Sequence, residues 1–137
     1  MSIAIADLAK SLDRLIRGDL GSLGAIVSAE HTEVLKAAEA LGTPLMIPRT
    51  AAISVVRGLI DGAYAPEMAQ AWASFVGAGF VANRFTGPIR PVAIDFEEAF
   101  EDAISAAVSR LDEIGDLVDG EVTTDEALNL LQLLGEP

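Results

Sequence analysis

Residues 95–118 read DFEEAFEDAISAAVSRLDEIGDLV, and the fold class turns on how this stretch is organised. Phe96, Phe100, Ile104, Ala107, Leu111, Ile114 and Val118 recur at helical spacing and form one narrow apolar stripe. Glu98, Asp102, Ser105, Ser109, Asp112, Glu113 and Asp116 fall on the opposite face. Asp95 with Glu98 three residues later has the form of a capping box. The pattern therefore predicts one helix over residues 96–118, roughly 34 Å long at 1.5 Å per residue. Its stripe has to face a core, which leaves the acidic side to water or to something else.

Working outward, the rest of the chain is punctuated in the same way. Leu8, Leu12, Leu15 and Ile16 predict an amphipathic helix before Gly18. Residues 18–28, GDLGSLGAIVS, are a glycine-broken joint with about one helical turn. A helix over residues 29–41 should stop at Gly42. TPLMIP, residues 43–48, is extended, because its prolines and the residues before them disfavour helix. Thr50 can cap a helix running to Asp61, with Ile53, Val56 and Ile60 inward and Gly62 as the stop. Pro66 sits at the first position of the next helix, with Glu67 in its first turn and its end at Gly77 or Gly79. A loop containing Asn83, Gly87, Pro88 and Pro91 leads to the stretch above. Beyond it, Thr123 and Glu126 make a second capping box, opening a last helix over residues 124–134 with Leu128, Leu131 and Leu134 apolar. No stretch alternates with period two and no repeat is visible. The expected architecture is all-α, a single domain spanning residues 1–137 built as an antiparallel bundle of about five helices.

Composition bounds the function. A chain of 137 residues, 51% hydrophobic, buries a core of its own and is too short for two ordinary domains. It contains no cysteine, which removes disulfides, thiolate zinc sites and cysteine nucleophiles together. Asp7 lies where a secretory leader would be apolar, and no basic leader or small-residue cleavage site is seen. The longest uncharged run, residues 68–83, has 16 residues and includes Gln70, Ser74 and Asn83, too short and too polar for a bilayer. A soluble, cytoplasmic protein is expected, with no membrane or nucleic-acid partner.

Charge is segregated along the chain. Residues 1–91 carry eight acids and eight bases, and residues 92–137 carry thirteen acids against Arg110 alone, so the whole formal charge of −12 lies in the last third. Generic solubility would acidify the entire surface. Segregation points to a partner instead. The densest part is RLDEIGDLVDGEV, residues 110–122, with five carboxylates and one arginine in thirteen positions.

Three chemistries compete for that density. An EF-hand register with Gly120 at loop position six puts Asp119 at five and Glu126 at twelve. Positions one and three then become Gly115 and Leu117, which have no side-chain oxygen, and half the ligand set is missing. No metal and no cofactor is expected. Catalysis by paired carboxylates needs burial or neighbours to separate their pKa values, and acids opposite an apolar stripe are solvated. His31, the single histidine, lies between Glu30 and Glu33 and reads as a surface residue. With no phosphate loop and no GxSxG elbow, no enzyme site is recognisable. The third chemistry is a binding face. Asp112, Glu113 and Asp116 near a helix C-terminus oppose the helix dipole, by about 0.3 to 1 kcal/mol each when exposed, and Asp112 and Asp116 repel at i, i+4. A cationic partner would relieve both conflicts, although exposed carboxylates are common and such costs are small.

Trp72, the only tryptophan, shares a helical face with Met68 and Phe75, near Tyr64 and Phe80. Core is the simplest reading of this cluster. An interface anchor or a small-molecule pocket around Trp72 is the alternative.

Two segments resemble a known family. VVRGLIDGAYAPEMAQAW, residues 55–72, gives a helix, a glycine turn and a second helix bearing an aromatic. AVSRLDEIGDLVDGEVTTDEALNLLQLL, residues 107–134, leads from an acid-rich helix end through TDEAL to a leucine-rich helix. Together, over residues 50–135, they look like the small helical immunity proteins that protect bacteria from tRNA-cleaving colicins of the colicin D type. Residues 1–48 fall outside the resemblance. It implies a non-enzymatic inhibitor that covers the basic active site of a nuclease toxin, with Asp112, Glu113, Asp116 and Asp119 as the contact set and Glu98 and Asp102 extending it. A nucleic-acid mimic directed at a DNA-binding enzyme would use the same acids. Exposed alanines would also allow homo-oligomers.

Overall fold

The computed structural model describes residues 5–42, 45–79, 91–114 and 122–135. Among them the protein is mostly helical, with seven α-helices and one two-stranded parallel sheet. The helices are α1 (Ile5–Ile16), α2 (Leu23–Ser28), α3 (His31–Leu41), α4 (Arg49–Asp61), α5 (Pro66–Ala78), α6 (Glu101–Asp112) and α7 (Thr124–Leu133). Strands β1 (Leu45–Ile47) and β2 (Ile94–Phe96) pair in the register Leu45 with Ile94, Met46 with Asp95 and Ile47 with Phe96. None of these helices is long and apolar enough to cross a membrane.

The helices associate chiefly in three pairs, α1 with α3, α5 with α6 and α4 with α7, around one core. The expected amphipathic face of α1 is the observed one, with Leu8, Leu12, Leu15 and Ile16 buried. The stops at Gly42, Gly62 and Gly79 and the start at Pro66 fall where the punctuation put them.

The join between α1 and the α4–α5 pair explains the aromatic cluster. Helix α1 ends at Gly18, whose φ of +88° favours glycine and where a Cβ would come within 2.5 Å of the Ala51 carbonyl oxygen. A helix C-terminus leaves carbonyls without intrahelical partners, and here aromatic side chains serve them. Trp72 is fully buried and its Nε1–H donates to Leu15 O at 2.8 Å. The Tyr64 hydroxyl donates to Gly18 O at 3.2 Å and accepts from Leu20 N at 3.4 Å. The Tyr64 ring lies so close to Gly58 that a Cβ there would sit 2.2 Å from Cδ2. Trp72 thus has no surface to offer an interface anchor, and its side chain is part of the core.

Several expectations are corrected. Helix α6 spans 12 residues, about 18 Å, instead of starting at Phe96. Residues 94–96 form β2, because Ile47 and its neighbours offer a strand edge that Asp95 and Phe96 pair with, and tertiary pairing overrides local helical spacing. Asp95 is therefore a strand residue and not a helix cap. Glu113 already stands outside the helix as its C-cap, and residues 115–121, which include Asp116, Val118 and Asp119, lie outside the described residues. Thr50 does not cap α4: the helix starts at Arg49, and its first N–H is bound at 2.8 Å by Glu97 Oε1, a carboxylate from 48 positions away. His31 is buried at the start of α3 rather than exposed. In α7 it is Ala127, with Leu131, that faces inward, while Leu128 is exposed.

Candidate acidic interaction surface

Helix α6 carries the acidic face. Ile104, Ala107, Val108 and Leu111 are buried, and Glu101, Asp102, Ser105, Ser109, Asp112 and Glu113 are exposed. The inward stripe and outward acids agree with the sequence pattern over the part that is helical. Asp102 and Asp112 are ten positions apart, so the two ends of the face are separated by about 15 Å along the axis. The structure brings Glu98 and Asp102 together at one end and Asp112 and Glu113 at the other.

At the N-terminal end, Glu98 lies in a 3-10 turn (Glu98–Phe100) that leads into α6. With Glu101 and Asp102 it lines an open groove of about 450 Å³, whose other walls are Ala99, Phe100, Ala103 and Leu133. Acids in a first helical turn are stabilised by the unpaired N–H groups and the positive end of the dipole, so this cluster is compatible with the local fold. Leu133 adds an apolar side chain that is 52% exposed. The Arg49 guanidinium stacks 4.8 Å above the centre of the Phe100 ring that lines the groove and donates to Leu134 O at 2.9 Å.

At the C-terminal end the acids have partners within the chain. Gln70 Nε2 donates to Asp112 Oδ1 at 3.1 Å and lies 3.5 Å from the Asp112 carbonyl oxygen. Arg110 reaches Glu113 at 3.4 Å and grips Glu126 with two nitrogens at 2.8 and 3.2 Å. A cation in the last turn of a helix is the arrangement the dipole favours. These contacts relieve part of the conflict that sequence alone assigned to an external cation, at Asp112 and Glu113. The hydrogen bonds from Arg110 hold the Glu126 carboxyl below its ordinary range, against an opposing push from desolvation. The charge of Arg110 and a backbone hydrogen bond from Thr123 also lower it. Thr123 Oγ1 accepts from Glu126 N at 3.2 Å, so the predicted capping box is formed.

Among the described residues no group of three or more histidine, cysteine or carboxylate side chains is placed to hold a metal ion. Sequence reasoning missed Glu101 as a groove residue, though its place beside Asp102 in a first helical turn was a usable signal. It also missed Glu97, Arg49 and Gln70, whose partners are 48, 85 and 42 positions away and leave no local trace. Together the fold and the surface define a mostly helical protein with a neutral body and an acidic face. No protein-family model, no curated protein and no solved structure matches this chain.

Proposed function

We propose that the protein is a non-catalytic, immunity-type inhibitor acting in the bacterial cytoplasm, whose acidic face occupies the basic active-site cleft of a nuclease toxin. One observation carries the reading. The whole formal charge of −12 lies in residues 92–137, and within them Glu98, Glu101 and Asp102 converge on one groove with an exposed leucine at its rim. A nuclease cleft is lined with lysine and arginine to hold phosphates. A fixed carboxylate surface is steered to such a cleft, and long-range attraction acts mainly on the association rate. The apolar Leu133 and the half-buried Phe100 would supply contact that is independent of salt. The antiparallel helical bundle of the resembled family is part of the same proposal. In the contact set, the groove trio carries more weight than Asp112 and Glu113, because the latter are engaged by Gln70 and Arg110.

The experiment is capture from the source cells at low and high salt, followed by an RNA-cleavage assay on any basic nuclease retained. The expected result is stoichiometric inhibition of that nuclease. The variant Glu98→Gln, Glu101→Gln, Asp102→Asn should then associate at least about tenfold more slowly and with a flatter salt dependence. If no basic nuclease is retained, or if the neutralised variant inhibits as well as the wild type, the proposal is wrong.

A further inference from the structure

Helix α7 is held to the body in an unusual way. At its first turn, Glu126 is gripped from α6 by Arg110 at 2.8 and 3.2 Å. At its last turn, the Leu134 carbonyl accepts from Arg49 of α4 at 2.9 Å. Gly135 permits this approach, since a Cβ there would lie 3.2 Å from the same guanidinium nitrogen. Between the two clamps the apolar anchorage is thin. Ala127, Leu131 and Leu134 are buried and Leu130 is partly buried against the core, whereas Leu128 is 47% and Leu133 52% exposed. Helix α1, of similar length, buries five side chains from Leu8 to Ile16. Opening free energy follows buried apolar contact and protected backbone, so lightly anchored elements open first.

We propose that α7 is a strap that docks and undocks as a unit, fastened by one arginine at each end, and that its docking completes the acidic groove by adding Leu133 to it. The coupling is geometric. Leu133 of α7 lines the groove together with Glu98, Glu101 and Asp102. Arg49, which fastens the far end of α7, is stacked on Phe100, which lines the groove. In the docked state Arg110 is shared between Glu126 of α7 and Glu113 beside its own helix, and Arg49 between the Leu134 carbonyl and the Phe100 ring. Undocking removes Leu133 from the groove and takes Glu126 away from Arg110, which leaves that cation less neutralised on α6. The inference rests on the contacts of α7 and does not need the nuclease reading.

Native-state hydrogen exchange on the full chain, without any partner and over a series of low denaturant concentrations, tests it. In the wild type the amides of residues 127–134 should exchange at least about tenfold faster than those of residues 104–111, with little dependence on denaturant, as a local opening does. Arg110→Gln and Arg49→Gln should each speed exchange across α7 as one block and leave α1 and α3 unchanged. Equal protection and equal denaturant dependence for α7 and α6 in the wild type would overturn the proposal without any variant. So would variants whose exchange rises equally throughout the chain, because the arginines would then hold the global fold and not a strap. If a variant does not fold, the wild-type pattern still decides.

Discussion

Replacing Gly58 by alanine should destabilise the protein, against the general expectation for a helical glycine. In the interior of α4 the substitution removes backbone freedom from the unfolded chain, which by itself stabilises by roughly 0.5–1 kcal/mol. The new Cβ, however, would lie 2.2 Å from Tyr64 Cδ2 and 2.7 Å from Cε2, so the ring must move. Moving it breaks the hydroxyl's bonds to Gly18 O and Leu20 N, two bonds worth about 1 kcal/mol each. The balance is a net loss of about 1 kcal/mol. Gly77→Ala in α5 is the control, because its Cβ would meet only Val108 Cγ1 at an ordinary 3.6 Å and the substitution should stabilise. Urea unfolding followed by the fluorescence of Trp72, which is fully buried, reads both. The two variants should differ by about 2 kcal/mol, the sum of the lost bonds with the propensity gain common to both. If Gly58→Ala is as stable as Gly77→Ala, the Tyr64 bonds hold nothing and the account of the α1–α4 junction is wrong.

Trp72→Phe should cost about 2 kcal/mol, from lost volume in a packed core and the lost indole bond. The hydrogen-bond part is small because Leu15 O keeps the bond from Gly18 N at 3.0 Å. A cost under about 0.5 kcal/mol in urea unfolding followed by far-ultraviolet circular dichroism, since this variant has no tryptophan left to fluoresce, would return Trp72 to the list of functional candidates. Glu101→Lys, at the favourable end of the α6 dipole, should lose about 0.3–1 kcal/mol. Glu113→Lys should stay within about 0.5 kcal/mol of wild type, since the dipole gain is offset by the ion pair lost with Arg110; a clear stabilisation would show that the Arg110 contact is idle. Because Arg110 holds the Glu126 carboxyl below its ordinary range, the folded state favours the ionised form. That contribution is complete above the unfolded glutamate range and is lost as pH falls through the folded value. Thermal melts taken from neutral pH into acid should therefore show a steeper loss in wild type than in Glu126→Gln, and parallel curves would contradict the assignment.

Short-range rules made most of the helices readable. Leu8, Leu12 and Leu15 are buried because an α-helix places residues three and four apart on one side. Gly42, Gly62 and Gly79 end helices because they take positive φ, and Thr123 starts one because its hydroxyl reaches the N–H of Glu126. Each depends on neighbours within one turn. The acidic groove was half readable for the same reason. Glu98 and Asp102 were placed on an exposed face by helical spacing, and that face is exposed, but the α-helix was started five residues too early, at Phe96 and not at Glu101.

What the sequence determined by itself is therefore the helical character, the apolar faces of α1 and of the helical part of α6 and the location of all the net charge in residues 92–137. The tertiary structure decided which residues in that charged third are engaged. Three-residue strands show no alternation to read, so β1 and β2 exist only as a pair. That pairing draws Glu97 to the start of α4 and ends the long helix expected from Phe96. Gln70 and Arg110 satisfy Asp112 and Glu113, and Arg49 ties α7 to Phe100 beside Glu98, Glu101 and Asp102. Apart from the Arg110–Glu113 pair, which is local at i, i+3, each of these outcomes depends on groups tens of residues apart meeting within a few ångströms, and a local pattern carries no information about such meetings.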